Sequence, residues 1–148
     1  MRAALQNQPM LVDYQLCSDF PGSLTGLLQL RLAQLEHQPL EQPFLLRGIV
    51  FNGEMIGLVG FHAKPSFAGR LEVGYEVFSS FRRQGFALEA VRALLDWARL
   101  ENGVKTFVAS VSPSNLASLA LVGKLGFVQT GRQWDAEDGE ELVFELPA

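Results

Sequence analysis

The chain has 148 residues, 48% hydrophobic and 19% charged, with a formal net charge of −4. That length and composition fit one compact domain with a real core, and the negative balance speaks against a nucleic-acid binder, which is more often basic. The single cysteine, Cys17, allows no internal disulfide and suits a reducing, cytoplasmic setting; the two histidines, His37 and His62, lie too far apart for a metal-ligand cluster; and no apolar run is long enough to cross a bilayer.

In chain order, residues 1–9 are polar and end in Pro9, a loose lead-in, and residues 10–16 alternate weakly as an edge strand. Phe20-Pro21-Gly22 breaks that strand, and Ser23 is placed to cap a helix. Leu24, Leu27, Leu28, Arg31 and Leu35 keep helical spacing until Pro39 and Pro43 end it. Residues 44–52 are apolar and branched, Asn52-Gly53 makes a tight hairpin turn, and residues 55–62 return as the next strand. Residues 64–69 connect to residues 70–78, which alternate again. Val73, Tyr75 and Val77 point to one face, and Glu72, Gly74 and Glu76 to the other.

From Ala87 the period turns helical. Leu88, Val91, Leu94, Leu95 and Ala98 form one stripe, with Glu89, Arg92, Asp96 and Arg99 opposite. Between strand and helix lies Arg82-Arg83-Gln84-Gly85-Phe86-Ala87. The helix must present unpaired N–H groups at its start, with the positive end of its dipole. Gly85 lets the backbone turn and a bulky anion approach, Ala87 keeps the first turn open, and Arg82 and Arg83 add charge. The residues describe either an anion site, with a pyrophosphate as the natural guest, or a basic surface loop before an ordinary helix.

Asn102-Gly103 stops that helix, and residues 104–111 form a strand. A strand, a helix and a second strand call for a right-handed crossover and parallel pairing. Ser112 with Pro113 behind it reads as the cap and first turn of another helix. It runs to about Lys124-Leu125, with Gly126 as its C′ residue. Residues 127–134 and 140–146 are two strands joined by an acidic turn, 135–139. The order β-α-β-β-β-α-β-α-β-β describes a mixed α/β sheet.

Two motifs carry a resemblance. Val77-x-x-x-x-Arg82-x-x-Gly85-x-Ala87 resembles the acyl-CoA pyrophosphate loop of the GNAT superfamily of N-acetyltransferases. Around it, Gly74-Tyr75-Glu76-Val77 and Gly85-Phe86-Ala87-Leu88-Glu89-Ala90 are similar to the RimJ/RimL branch. Asn115-x-x-Ser118, followed by Lys124-Leu125-Gly126-Phe127, resembles the family's second signature. The resemblance implies one GNAT domain over residues 1–148. Its fold is α/β: a mixed, mostly antiparallel sheet with flanking helices and a splayed parallel strand pair, here 72–78 and 104–111. It implies acetyl-CoA as acyl donor, with the diphosphate on the loop formed by Arg82, Arg83, Gln84, Gly85, Phe86 and Ala87. Main-chain groups of Val77 and Phe78 would bond the pantetheine arm, Asn115 would lie near the CoA chain and Ser118 near the sulfur. It implies direct acetyl transfer, in a ternary complex, to a primary amine: a protein N-terminus or a small-molecule amine. No metal is implied, and a homodimer only at family level.

Many members carry, on the second helix, a tyrosine that protonates the leaving thiolate. Its place here is Val122, so Ser118 becomes the candidate thiolate partner. Glu72 and Glu76 share a strand face where a carboxylate raised by burial can take the amine's proton; Glu76, nearer the thioester end, is preferred. His62 is a candidate for lining the acceptor site or shuttling protons. Plainer readings stand beside these. Asn115 can simply start a helix, Ser118 can bond a backbone carbonyl, Glu72 can be structural and His62 can be packing. The missing tyrosine also keeps a second function open, a non-catalytic acyl-CoA-binding sensor or degenerate subunit.

Overall fold

Helical spacing after residue 24 produces α1 (Thr25–His37), which leads into a 3-10 turn at Pro39–Phe44, where two prolines withhold N–H groups from further helix. The computed structural model describes residues 15–16 and 24–148. The expected lead-in, the start of the first strand, Cys17, the break at residues 20–22 and the Ser23 cap lie outside those residues. The short strand β1 (Gln15–Leu16) is described.

Strands β2 (Arg47–Phe51) and β3 (Glu54–Phe61) form the expected hairpin. Asn52 and Gly53 turn it at φ values of 51° and 81°, the left-handed conformations that a tight primed turn requires. Strand β4 (Arg70–Val77) pairs antiparallel with β3, from Gly57↔Val77 to Phe61↔Val73. Helix α2 (Phe86–Ala98) crosses over, and β5 (Thr106–Val111) returns parallel to β4. Helix α3 (Leu116–Lys124) follows, then β6 (Val128–Asp135) and β7 (Gly139–Pro147), an antiparallel pair in which β7 inserts beside β5. The seven-stranded sheet runs β1-β3-β4-β5-β7-β6, with β2 on β3. The fold expected from the motifs is therefore present. Among the described residues no helix is long and apolar enough to cross a membrane.

Alternation decides which face each helix covers. Val73 and Val77 of β4 and Phe107, Ala109 and Val111 of β5 pack with Ala90, Val91, Leu94, Leu95 and Ala98 of α2 and with Val122 of α3. Burying each large side chain there contributes about 1.5–3 kcal/mol. On the other face Leu24, Leu58 and Phe78 form a smaller cluster with Leu27 and Leu28 of α1. So α2 and α3 share one face, and α1 covers part of the opposite one.

One helix start differs from expectation. Ser112 does not cap α3. Residues 112–115 make a turn, closed by the Asn115 N–H donating to the Ser112 carbonyl at 2.9 Å. Asn115 is the cap, its Oδ1 accepting the Ser118 N–H at 3.1 Å. Serine and asparagine are both good caps; the turn through Pro113 places the second of them where helical geometry begins.

Candidate active site

The site begins where two strands part. β4 and β5 are paired only at Arg70↔Thr106, Leu71↔Phe107 and Glu72↔Val108. Beyond that, β4 continues to Val77 against β3, and β5 continues to Val111 against β7. The facing edges of residues 73–77 and 109–111 therefore have no ladder between them. Backbone groups alternate sides along a strand. The Glu72 carbonyl accepts from the His62 N–H at 2.9 Å, and the Phe78 N–H donates to the Ile56 carbonyl at 2.9 Å, so residues 72 and 78 face β3. By alternation the backbone groups of Val73, Tyr75 and Val77 face the opening. Buried peptide groups there need partners, and an extended arm carrying amides supplies them.

This corrects the expected contact atoms. Phe78 spends its N–H on β3 and its side chain on the cluster beneath α1, so it does not face the opening. The Val77 carbonyl is also taken, because Arg82 Nε donates to it at 2.8 Å. The N–H groups of Tyr75 and Val77 remain on the open edge.

At the end of β4 the chain turns into α2 through the predicted loop. Gly85 is the N-cap at φ 87°, and no side chain caps the helix. The first helical bond is the Glu89 N–H to the Gly85 carbonyl at 3.0 Å, which leaves the N–H groups of Phe86, Ala87 and Leu88 for a ligand. Among the described residues nothing lies within 4 Å of where a Gly85 side chain would begin. These features fit a diphosphate, held by backbone donors and the helix dipole. The Phe86 ring is committed elsewhere, 4.8 Å from the Phe51 ring, so it anchors the turn. Arg82 is likewise a strut: besides Val77, its Nη2 lies 3.9 Å from Glu76 Oε1. Arg83 and Gln84 are exposed beside the loop, and Arg83 adopts φ 62°, an uncommon conformation for a residue with a side chain.

On the α2/α3 face, Ser118 is half-buried in the first turn of α3. Its neighbour is Tyr75. Burial pushes the Tyr75 phenol above its ordinary range, and the nearby Ser118 hydroxyl partly opposes that. The two hydroxyls adjoin without a formed hydrogen bond: the Tyr75 oxygen is buried and has no partner among the described residues. Val122 is 1% exposed and packs in the core.

The acceptor candidates lie on the opposite, α1 face. The structure brings His62 and Glu72 together, with Nδ1 3.7 Å from Oε2. The ring lies over Gly74, where a Cβ would stand 2.9 Å from Nε2. Ser110 Oγ donates to Glu72 Oε1 at 2.7 Å, bridging the parted strands. Gln133 Nε2 donates to Ser110 Oγ at 3.0 Å and to Glu141 Oε2 at 2.8 Å. Arg31 Nη1 and Gln34 Nε2 both donate to the His62 carbonyl, at 2.8 and 3.0 Å, and Gln34 also reaches Glu41, which is 4% exposed. Half of the His62 side chain meets solvent, yet it sits in the crowded mouth between α1 and β4. That desolvation holds its pKa below the ordinary value, with Glu72 pulling upward, Arg31 downward and Glu141 upward. Glu76 stands apart from this group, beside Arg82.

Sequence reasoning singled out His62 and Glu72 separately but missed Tyr75, Ser110, Gln133 and the α1 pair Arg31 and Gln34. Tyr75 had a readable signal, since alternation puts it on the face with Val73 and Val77. The others depend on long-range register.

Comparison with known proteins agrees with this fold. Residues 6–128 match the family described as acetyltransferase (GNAT) domain, and the chain belongs to that family. It is 35% identical over 77 residues to the uncharacterized N-acetyltransferase YjdG of Bacillus subtilis, covering 52% of this chain and 46% of that protein. The chain spans about half the length of three of the curated relatives it matches. Among solved structures it is similar in fold to RimL, a ribosomal L7/L12 alpha-N-protein acetyltransferase in complex with coenzyme A. The TM-score is 0.70 at 22% identity, over 80% of this chain and 69% of that one. It is also similar to the microcin C7 self-immunity acetyltransferase MccE, solved with acetyl-CoA and AMP. Here the TM-score is 0.69 at 17% identity, over 83% and 69% of the two chains.

Proposed function

We propose that the chain is an acetyl-CoA-dependent N-acetyltransferase that acetylates a primary amine by direct attack, within the RimJ/RimL-like branch. The observation that carries this reading is the end of β4–β5 pairing at Glu72↔Val108, beside a helix N-terminus with no side-chain cap. The N–H groups of Phe86, Ala87 and Leu88 hold the diphosphate, and those of Tyr75 and Val77 hold the arm. The bound thioester supplies the activated acetyl group.

The opening joins the two faces of the sheet. Donor and acceptor meet across it, and holding them together supplies much of the acceleration. On the acceptor side, His62 takes the amine's proton. Glu72 faces Nδ1 and so favours a proton there, leaving Nε2 free to accept. The lowered pKa keeps the ring neutral at neutral pH. This assigns to His62 the role preferred for Glu76 from sequence. Carboxylates at Glu41, Glu72, Glu76 and Glu141 give the acceptor face a negative field that draws a cationic amine. The ribosomal-protein N-terminal specificity of RimL supports a protein α-amine as one acceptor class.

Calorimetric titration with acetyl-CoA, followed by thiol release over a panel of amines and N-terminal peptides, tests the proposal. Saturation at 100 times the dissociation constant stabilises the fold by about 2.7 kcal/mol, and thiol release then depends on an added amine. Binding without release for any amine would replace it with the acyl-CoA-binding sensor.

A further inference from the structure

We propose that Tyr75, on β4, is the proton donor to the coenzyme A sulfur, taking over the role for which α3 has no group at Val122. The inference rests on the transferase reading above and adds a residue to it.

Tyr75 lies three residues past the last β4–β5 pair, on the strand edge that lines the opening. From Val77 to Val73 that edge measures about 13 Å at roughly 3.3 Å per residue, and it leads from the α2 N-terminus toward the point where the strands close. The side chain turns onto the α2/α3 face, packing against the main core. Its hydroxyl is buried with Ser118 as its neighbour, and it has no hydrogen-bond partner among the described residues. A buried polar atom without a partner is costly, and a ligand that bonds to it removes that cost. Val122, buried in the core, offers no proton.

The step balances. His62 takes the proton that the amine sheds as the C–N bond forms. Tyr75 donates its phenolic proton to the sulfur as the C–S bond breaks and its electron pair leaves on sulfur. The Ser118 hydroxyl returns a proton from solvent to Tyr75, and His62 releases to solvent the proton it took. The sum is amine plus acetyl-CoA giving amide plus free thiol.

The test is Tyr75→Phe, which keeps the ring. Acetyl-CoA turnover should fall by about 10²-fold, the lower range of acid catalysis, with KM for acetyl-CoA nearly unchanged. A second readout needs no turnover: the affinity for CoA relative to desulfo-CoA, followed over pH, reports the pKa of the bound thiol. Tyr75→Phe should raise that pKa and leave desulfo-CoA affinity intact. Wild-type turnover with unchanged thiol titration would overturn the proposal while leaving the transferase reading standing. Loss of desulfo-CoA affinity would make the phenol a wall of the channel and overturn it too. If the wild-type protein binds no CoA, both readings fall, and the wild-type arm alone shows it.

Discussion

Replacing Gly85 by aspartate separates cofactor binding from folding. Gly85 sits at φ 87°, and an L residue there costs about 1–2 kcal/mol. Among the described residues nothing within 4 Å obstructs the new side chain, so they add no steric term. A carboxylate at the start of α2 recovers about 0.3–1 kcal/mol from the helix dipole. The net loss is then about 1 kcal/mol, or roughly 2–4 °C in Tm for a chain of this size. The effect on acetyl-CoA is far larger, because the carboxylate occupies the N–H groups of Phe86 to Leu88 and repels the diphosphate. Two unit charges 4 Å apart repel by about 4 kcal/mol at an effective dielectric of 20. We therefore expect affinity to drop by more than about 10²-fold, where each tenfold step is about 1.4 kcal/mol. Isothermal titration gives the affinity and a thermal melt gives the stability. A Gly85→Asp protein that melts near wild type and still binds acetyl-CoA normally would remove the α2 N-terminus from the account.

Three further outcomes are expected. Ser118→Ala should lower kcat by about tenfold or more with little change in KM for acetyl-CoA; steady-state kinetics at saturating amine decides it. The base must be neutral to act, and burial lowers the His62 pKa, so kcat/KM should fall on the acid side along a limb below the ordinary histidine value of about 6.5. His62→Gln should remove that limb and Glu76→Gln should keep it; the reverse pattern returns the role to Glu76. Glu41→Ala takes away a carboxylate that is 4% exposed and bonded to Gln34. It should cost about 1–3 kcal/mol in urea unfolding, and by freeing Gln34 it should raise KM for the amine more than for acetyl-CoA.

Local codes in the sequence carried the architecture. The shift from period two to period 3.6 around Gly85 gave β4, the loop and α2, and Asn52-Gly53 gave the hairpin. The two motifs placed the parting strands, which pair at only three positions. Side-chain assignments depended on what lies far away in sequence. Arg82 reads only as charge beside the loop until the fold brings the Val77 carbonyl within 2.8 Å of its Nε. His62, Glu72 and Glu76 read as separate candidates until register sets His62 beside Glu72 and Glu76 by Arg82. Tyr75 reads as one more apolar member of an alternating strand, because its significance comes from the missing partner of its hydroxyl. A period reports which way a side chain points; what waits there is set by strands that arrive later in the chain.

The most direct test of the central claim is a crystal structure of the protein with coenzyme A. The account predicts the diphosphate on the N–H groups of Phe86 to Leu88, and the arm lying between β4 and β5 with its amides on Tyr75 and Val77. Density for the nucleotide elsewhere, or β4 and β5 paired through to Val77 in that crystal, would contradict it.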